Sequence, residues 1–168
     1  MKTETRVIGI DDGDTRRKRR LVVGAVFRGG LWLDGIVSTF VDVSASSPGR
    51  ILGKMVTTSK FYKELRYAIL HGSMLQSARP SLPIEFNSIT RLPTITILKP
   101  RWNKRFDYVT KRRKNAVNFK LHGLSVLCLD LTKEKATQVF GITCIRGGLP
   151  EPVRVAGLIA SAANAQKD

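Results

Sequence analysis

Acidic residues are scarce in this chain. Thirteen Asp and Glu stand against twenty-nine Lys and Arg, which leaves a net charge of +16 over 168 residues. Such a surface attracts phosphate backbones through counterion release, without reading sequence. Cysteine and histidine are scarce too, with two of each. Cys128 and Cys144 form no C-x-x-C pair, and His71 and His122 complete no zinc-like spacing with them, which argues against a zinc site. Both thiols are expected as reduced, small core residues. Long apolar runs are missing. Leu21–Phe27 and Leu124–Leu129 are strand-length, far short of a membrane span. No signal-peptide pattern precedes the first strand-like segment, so the expected location is the cytoplasm, without a membrane partner.

What is present reads as one α/β domain over residues 1–168, with no internal repeat. Val7–Asp11 is a buried strand ending in a carboxylate, and Asp12-Gly13-Asp14 a turn. Leu21–Phe27 and Leu31–Val43 flank Arg28-Gly29-Gly30, the pattern of a hairpin, so the opening reads as three antiparallel strands. Gly49–Ser59 has helical periodicity, Arg66–Leu70 is a short strand, and Ser73–Phe86 has no clear period. Thr94–Leu98 and Leu124–Leu129 are further strands, expected parallel to the first because helices separate them. Thr132 caps a helix over Leu131–Phe140. Pro150-Glu151-Pro152 opens the last helix.

Three constellations could carry chemistry. The first is Asp11-Asp12, where a carboxylate at a strand end can hold a divalent metal. Neighbouring strand residues point to opposite faces, so this pair alone does not build a two-metal site, and spacing alone favours an Asp-Gly turn over a metal site. The second is His71, which faces the same site as Asp11 if the two strands are neighbours. It is either a proton shuttle or a strand-end histidine without chemistry. The third is a pair of basic insertions near 14–20 and 99–120. The cations are Arg16, Arg17, Lys18, Arg19 and Arg20, then Lys99, Arg101, Lys104, Arg105, Lys111, Arg112, Arg113, Lys114 and Lys120. With Asp14 and Asp107 subtracted, the two segments hold +12 of the +16. Trp102, Phe106, Tyr108 and Phe119 lie among them, placed either to stack on unpaired bases or to anchor the segment on the core. Unpaired, the second segment's like charges would keep it mobile.

These residues resemble an archaeal endonuclease V-like family of unknown function, of the UPF0215 type. The resemblance rests on RVIGIDDG at Arg6–Gly13, VVGAVFRGGLWLDGIVST at Val22–Thr39, LRYAILHGSML at Leu65–Leu75 and GGLPEPVRVAGLIASA at Gly147–Ala162. It implies a ribonuclease H-like fold, a central five-stranded mixed sheet whose first three strands are antiparallel, flanked by helices. It also implies that Asp11 matches the first-strand carboxylate that holds Mg²⁺ in active relatives. The departure is His71, where the family has a carboxylate. Asp34 and Glu85 are the spare acids.

The expectation is a non-catalytic nucleic-acid-binding protein without a cofactor, its site vestigial at Asp11, Asp12 and His71, with Asp11 the one weak metal candidate. Its partner would be RNA rather than DNA, in a ribonucleoprotein such as the ribosome, beside ribosomal RNA and ribosomal proteins. The alternatives are a Mg²⁺-dependent endonuclease acting on damaged or deaminated nucleic acid, and a protein-binding adaptor.

Overall fold

The structure, a computed structural model, describes residues 1–72, 81–100 and 103–165. Strand β1 (Arg6–Asp12) is an interior strand of its sheet. Val7, Ile8 and Ile10 are fully buried, as an apolar run is when helices cover both faces of its sheet. β2 (Arg19–Arg28) and β3 (Trp32–Asp42) extend it as an antiparallel meander. Gly29 turns the chain between them at φ +58°, a left-handed conformation that costs glycine little. Helix α1 (Pro48–Thr57) leads to β4 (Tyr67–Leu70), which pairs parallel to β1. Helix α2 (Ser81–Thr90) leads to β5 (Thr94–Leu98), parallel to β4. Then come α3 (Asn103–Arg112), β6 (Ala116–Leu121), β7 (Leu124–Leu129), α4 (Lys133–Thr143) and α5 (Glu151–Ala165).

The sheet order is β3-β2-β1-β4-β5-β7-β6. It has seven strands, not the five expected, and β7 runs antiparallel to β5, not parallel to the opening strand. The cause is one crossover. Helix α3 carries the chain from β5 past one strand position to β6. A tight turn through His122 and Gly123, at φ +50° and +78°, folds β7 back into the gap. β6 lies inside the basic stretch, and only its end residues Ala116 and Leu121 are buried, so its apolar signal is weak.

Three helices cover one face and two the other. Leu52 and Val56 of α1 and Leu82 and Phe86 of α2 pack on Ile8, Ile10 and Val22. Beside them Phe106 and Val109 of α3 pack on Leu98, Leu127 and Leu129. The basic stretch is thus partly built into the sheet. Phe106 takes the anchoring role, and burying it contributes about 2 kcal/mol against the repulsion of its cationic neighbours. On the opposite face α4 places Val139 and Phe140 on Ile95 and Val126, while Ala156 and Ala160 of α5 lie on Val23, Ala25 and Phe27. Thr132 caps α4 by accepting the Lys135 N–H at 3.3 Å. A Cβ at Gly9 would collide with the backbone of Pro152 and Val153, so α5 begins directly against β1. Its Glu151 accepts from Arg154 at 2.8 Å, and that bond holds the carboxyl below its usual range although burial pushes it up.

Candidate functional site

Strands β1, β4 and β5 run parallel, so the chain leaves all three at one end of the sheet. Ligands of open α/β sheets gather at such carboxyl ends. Here β1 ends in Asp11-Asp12 and β4 is followed by His71. The His71 N–H donates to the Ile10 carbonyl at 2.9 Å, which continues the β1–β4 ladder by one step. That bond sets the imidazole beside β1, with Nδ1 3.0 Å from Asp11 Oδ2. An ionised carboxylate only accepts, so Nδ1 donates. Asp11 Oδ1 accepts the Asp12 N–H at 2.8 Å. Asp12, its side chain wholly buried, accepts from Arg20 Nη1 at 3.1 Å, while Arg20 Nε is buried without a hydrogen-bond partner.

Two glycines make room for these carboxylates. A Cβ at Gly72 would meet Oδ1 of both Asp11 and Asp12, the former at 2.6 Å. A Cβ at Gly157, on α5, would meet Asp11 Oδ2 at 2.6 Å. The two carboxylates therefore do not diverge to opposite faces, as strand alternation predicts. Asp12 is the last residue of β1, and Gly72, at φ +120°, crosses the strand end close to both. Sequence reasoning missed Gly72, Gly157 and the pairing of Arg20. A glycine inside an otherwise apolar helix was the signal for Gly157.

The site does not fit Mg²⁺. That ion wants near-octahedral oxygen ligands. Both Asp11 oxygens and Asp12 Oδ2 already accept hydrogen bonds, and Arg20 brings its own positive charge. Among the described residues no cluster of three or more His, Cys, Asp or Glu side chains is placed to hold a metal ion. Asp34 lies at the opposite end of the sheet, bonded to Arg6 at 2.7 Å and Arg28 at 2.9 Å. Burial pushes its carboxyl up, but those two bonds outweigh it and hold the carboxyl below its usual value. Glu85, on α2, buries Oε2 near Gly49 without a hydrogen-bond partner.

The cations divide between the two ends of the sheet. Arg16 and Arg19 exchange backbone hydrogen bonds at 2.8 Å, closing a tight turn through Arg17 and Lys18, at φ +46° and +62°. The turn lies just past β1, with Arg17, Lys18 and Arg19 exposed. Arg19 pairs with Asp42 at 3.3 Å. Arg20 turns inward to Asp12 instead of presenting its charge to a partner. In the second stretch Lys99 follows β5, and Lys120 lies opposite Ser125, itself opposite Leu98, so both sit at the carboxyl end. Lys104, exposed, opens α3 from that same end. Lys111, Arg112, Arg113 and Lys114 precede Ala116, whose partner Leu129 faces Thr94 at the start of β5. They belong to the far end, about 13 Å away along the strand. Arg101 and Trp102 lie outside the described residues, as does the side chain of Arg105. Tyr108 is exposed, with the Arg112 guanidinium 4.3 Å from its ring centre. Phe119 is half-buried beside Lys133.

Both cysteines are free thiols. Burial pushes Cys128 up to about 12 and the half-buried Cys144 up to about 11. No helix among the described residues is long and apolar enough to cross a membrane.

Comparison with known proteins adds independent findings. Residues 3–76 match a family model described as Endonuclease dU. A UPF0215 protein of Methanopyrus kandleri is 32% identical over 181 residues, covering 96% of this chain and 92% of its own length. Its counterpart in Methanothermobacter thermautotrophicus is 28% identical over 180 residues, covering 96% and 88%. Among solved structures, a protein of unknown function from Archaeoglobus fulgidus superposes with a TM-score of 0.74 at 25% identity, over 94% of this chain and 97% of that one. Endonuclease V of Ciona intestinalis, in complex with a 24mer DNA containing an inosine followed by a ribo-adenosine, gives 0.62 at 13% identity, over 97% and 87%. Human endonuclease V gives 0.59 at 14% identity, over 97% and 85%. At these identities the two endonucleases establish a shared fold, a mixed α/β sheet flanked by helices.

Proposed function

The chain belongs to the UPF0215 family, and from that premise we propose that it binds nucleic acid at the carboxyl end of its sheet without cleaving it. The observation that carries this reading is the state of the two carboxylates. Asp11 is held by His71 and Asp12 by Arg20, at 3.0 and 3.1 Å. In-line phosphodiester hydrolysis requires metals that stabilise both the attacking and the leaving oxygen. Carboxylates already held by internal donors are poor seats for them. The cations around this end, Arg17, Lys18, Lys99, Lys104 and Lys120, supply the affinity for phosphate.

RNA is the favoured partner. Tyr108, exposed and with the Arg112 guanidinium against one side of its ring, has a second side on which an unpaired base could stack, and single-stranded RNA presents such bases. A small chain of net charge +16 suits a ribonucleoprotein particle such as the ribosome, where phosphate is dense. The ribonuclease H-like ancestry of the fold belongs to the same reading. The competing reading, a metal-dependent endonuclease on deaminated nucleic acid, draws on the Endonuclease dU family match and on the convergence of Asp11 and Asp12 at Gly72.

The deciding experiment incubates the protein with plain RNA, plain DNA, inosine-containing strands and deoxyuridine-containing DNA, in Mg²⁺, Mn²⁺ or EDTA. The non-catalytic reading expects no strand cleavage and RNA binding that EDTA leaves unchanged. Turnover that Asp11→Ala abolishes would replace it with the nuclease. Turnover appearing only in His71→Asp would mark a lost ancestral site and support the present reading.

A further inference from the structure

β3 is the last strand on its side of the sheet, and it is eleven residues long. Val43 donates across to the Lys18 carbonyl. In an antiparallel ladder alternate residues face the partner strand, so the odd-numbered residues from Gly35 onward turn their backbone groups toward β2. Ile36, Ser38 and Phe40 therefore turn theirs outward, to the open edge. Folded proteins usually block such an edge with lysine or proline. β3 reads WLDGIVSTFVD and holds no Lys, Arg or Pro, in a chain with twenty-nine Lys and Arg. Its two acids are already neutralised, Asp34 by Arg6 and Arg28 and Asp42 by Arg19.

Both faces beside this edge are shaped to accept side chains. Ile36 and Phe40 are half exposed on the α5 face, at 50% and 48%. On the other face a groove of about 540 Å³ runs between β3 and α1, lined by Val37, Thr39, Ile51 and Met55 among others. The register skips Asp34, a bulge that ends the regular stretch and fixes how far a second strand can run.

We propose that this edge pairs with the same edge of a second copy of the chain, antiparallel, about a two-fold axis at Ser38. The register is self-complementary. Ile36 lies opposite the partner's Phe40, and Phe40 opposite the partner's Ile36. Val37 and the partner's Thr39 meet over the α1 groove. The outward backbone groups of Ile36, Ser38 and Phe40 all find partners. A two-fold interface uses one patch twice, and the cations that border this strip are few, Lys54 in the α1 groove and Arg19, which lies over the Phe40 ring and is paired with Asp42. β3 itself supplies no cation to a polyanion, so an extended apolar strand fits it better. The two sheets would join into one, with the carboxyl-end sites at its opposite ends. This inference is independent of what those sites bind.

Light scattering on nuclease-treated protein in high salt tests it. At tens of micromolar the wild type should show about twice the chain mass of 18.7 kDa. The Ile36→Lys/Phe40→Lys variant should show a single chain, with unchanged circular dichroism. Ser38→Cys supplies a readout should that variant fail to fold. Hydrogen-bonded antiparallel partners sit with Cα atoms about 5.5 Å apart, within disulfide reach, so mild oxidation should link two chains through this residue. A single-chain mass for the wild type, a double mass that survives in the folded double variant, or no interchain disulfide in Ser38→Cys would each overturn the proposal.

Discussion

Replacing Arg20 by Met removes the cation beside Asp12 while keeping a long side chain in its place. Asp12 has no side-chain exposure and Arg20 has 18%, with 3.1 Å between the paired atoms. An exposed pair would contribute under about 1 kcal/mol. Removing one partner of a buried pair costs about 3–5 kcal/mol, because a buried charge is left uncompensated. The residual exposure of Arg20 sets the expected loss at the lower end, about 3 kcal/mol. With 168 residues and about 2.1 cal/mol/K of unfolding entropy each, the melting midpoint should fall by about 8 °C. Urea and thermal unfolding, followed by circular dichroism, would compare Arg20→Met, Asp12→Asn and the double variant. The double variant should regain much of the loss, since both members of the charge pair are then removed together. Millimolar Mg²⁺ should raise the midpoint of Arg20→Met, by mass action on a native state that now welcomes a cation, and leave the wild type unchanged. A loss under about 1 kcal/mol would refute the claim that Asp12 depends on Arg20. A wild-type midpoint that rises with Mg²⁺ and loses the effect in Asp11→Ala would refute the misfit of the metal.

Two further outcomes follow from the turn and the thiols. Arg17 and Lys18 occupy left-handed backbone that such a turn normally gives to Asn and Gly. Arg17→Asn/Lys18→Gly should therefore raise stability, by about 1 kcal/mol, while flattening the log–log salt dependence of RNA binding by about 1.4, or 0.7 per lost phosphate contact. An unchanged slope would remove the turn from the interface. Because burial raises the thiols to about 12 at Cys128 and about 11 at Cys144, iodoacetamide at pH 8 should modify Cys144 slowly and Cys128 only on unfolding. The sign follows from the same shift. The unfolded thiols ionise near their ordinary value of 9.0, so their contribution to stability is complete below that pH and is lost as pH climbs toward 12. Equal labelling of both thiols in the native protein would contradict this.

The fold was legible wherever a local rule has one outcome. Thr132 followed by a periodic segment marks a capped helix, and β-branched runs such as TITIL mark strands whose ends coincide with β5. β6 was hidden because a half-exposed edge strand buries only its two end residues and carries a lysine, so it looks like the rest of a charge run. The proximity of His71 to Asp11 was legible, since parallel neighbours end together. The contact of Gly157 with Asp11 was not, because nothing local tells a helix near the C-terminus which strand it will cross. The pairing of Arg20 with Asp12 was not legible for a related reason. In a run of five consecutive cations no local feature singles out the one whose strand position turns it inward. That depends on where β2 resumes after the turn at Arg17 and Lys18.

The inward turn of Arg20 bears directly on how a nucleic acid could approach. A bare carboxylate about 4 Å from a phosphate would repel it by about 4 kcal/mol at a surface-like dielectric. Two of them at the end of β1 would offset much of the attraction from the surrounding cations. An enzyme resolves that conflict with divalent ions, and the same ions then make cleavage possible. Here the conflict is resolved by groups the chain carries itself: Arg20 against Asp12, and the His71 ring and the Asp12 N–H against Asp11. These groups lower the repulsion without supplying any site for the attacking or leaving oxygen. The arrangement therefore separates two properties that a metal would couple. On the proposed reading, phosphate is held at this end of the sheet, and Asp11 and Asp12 stay there as internally neutralised charges.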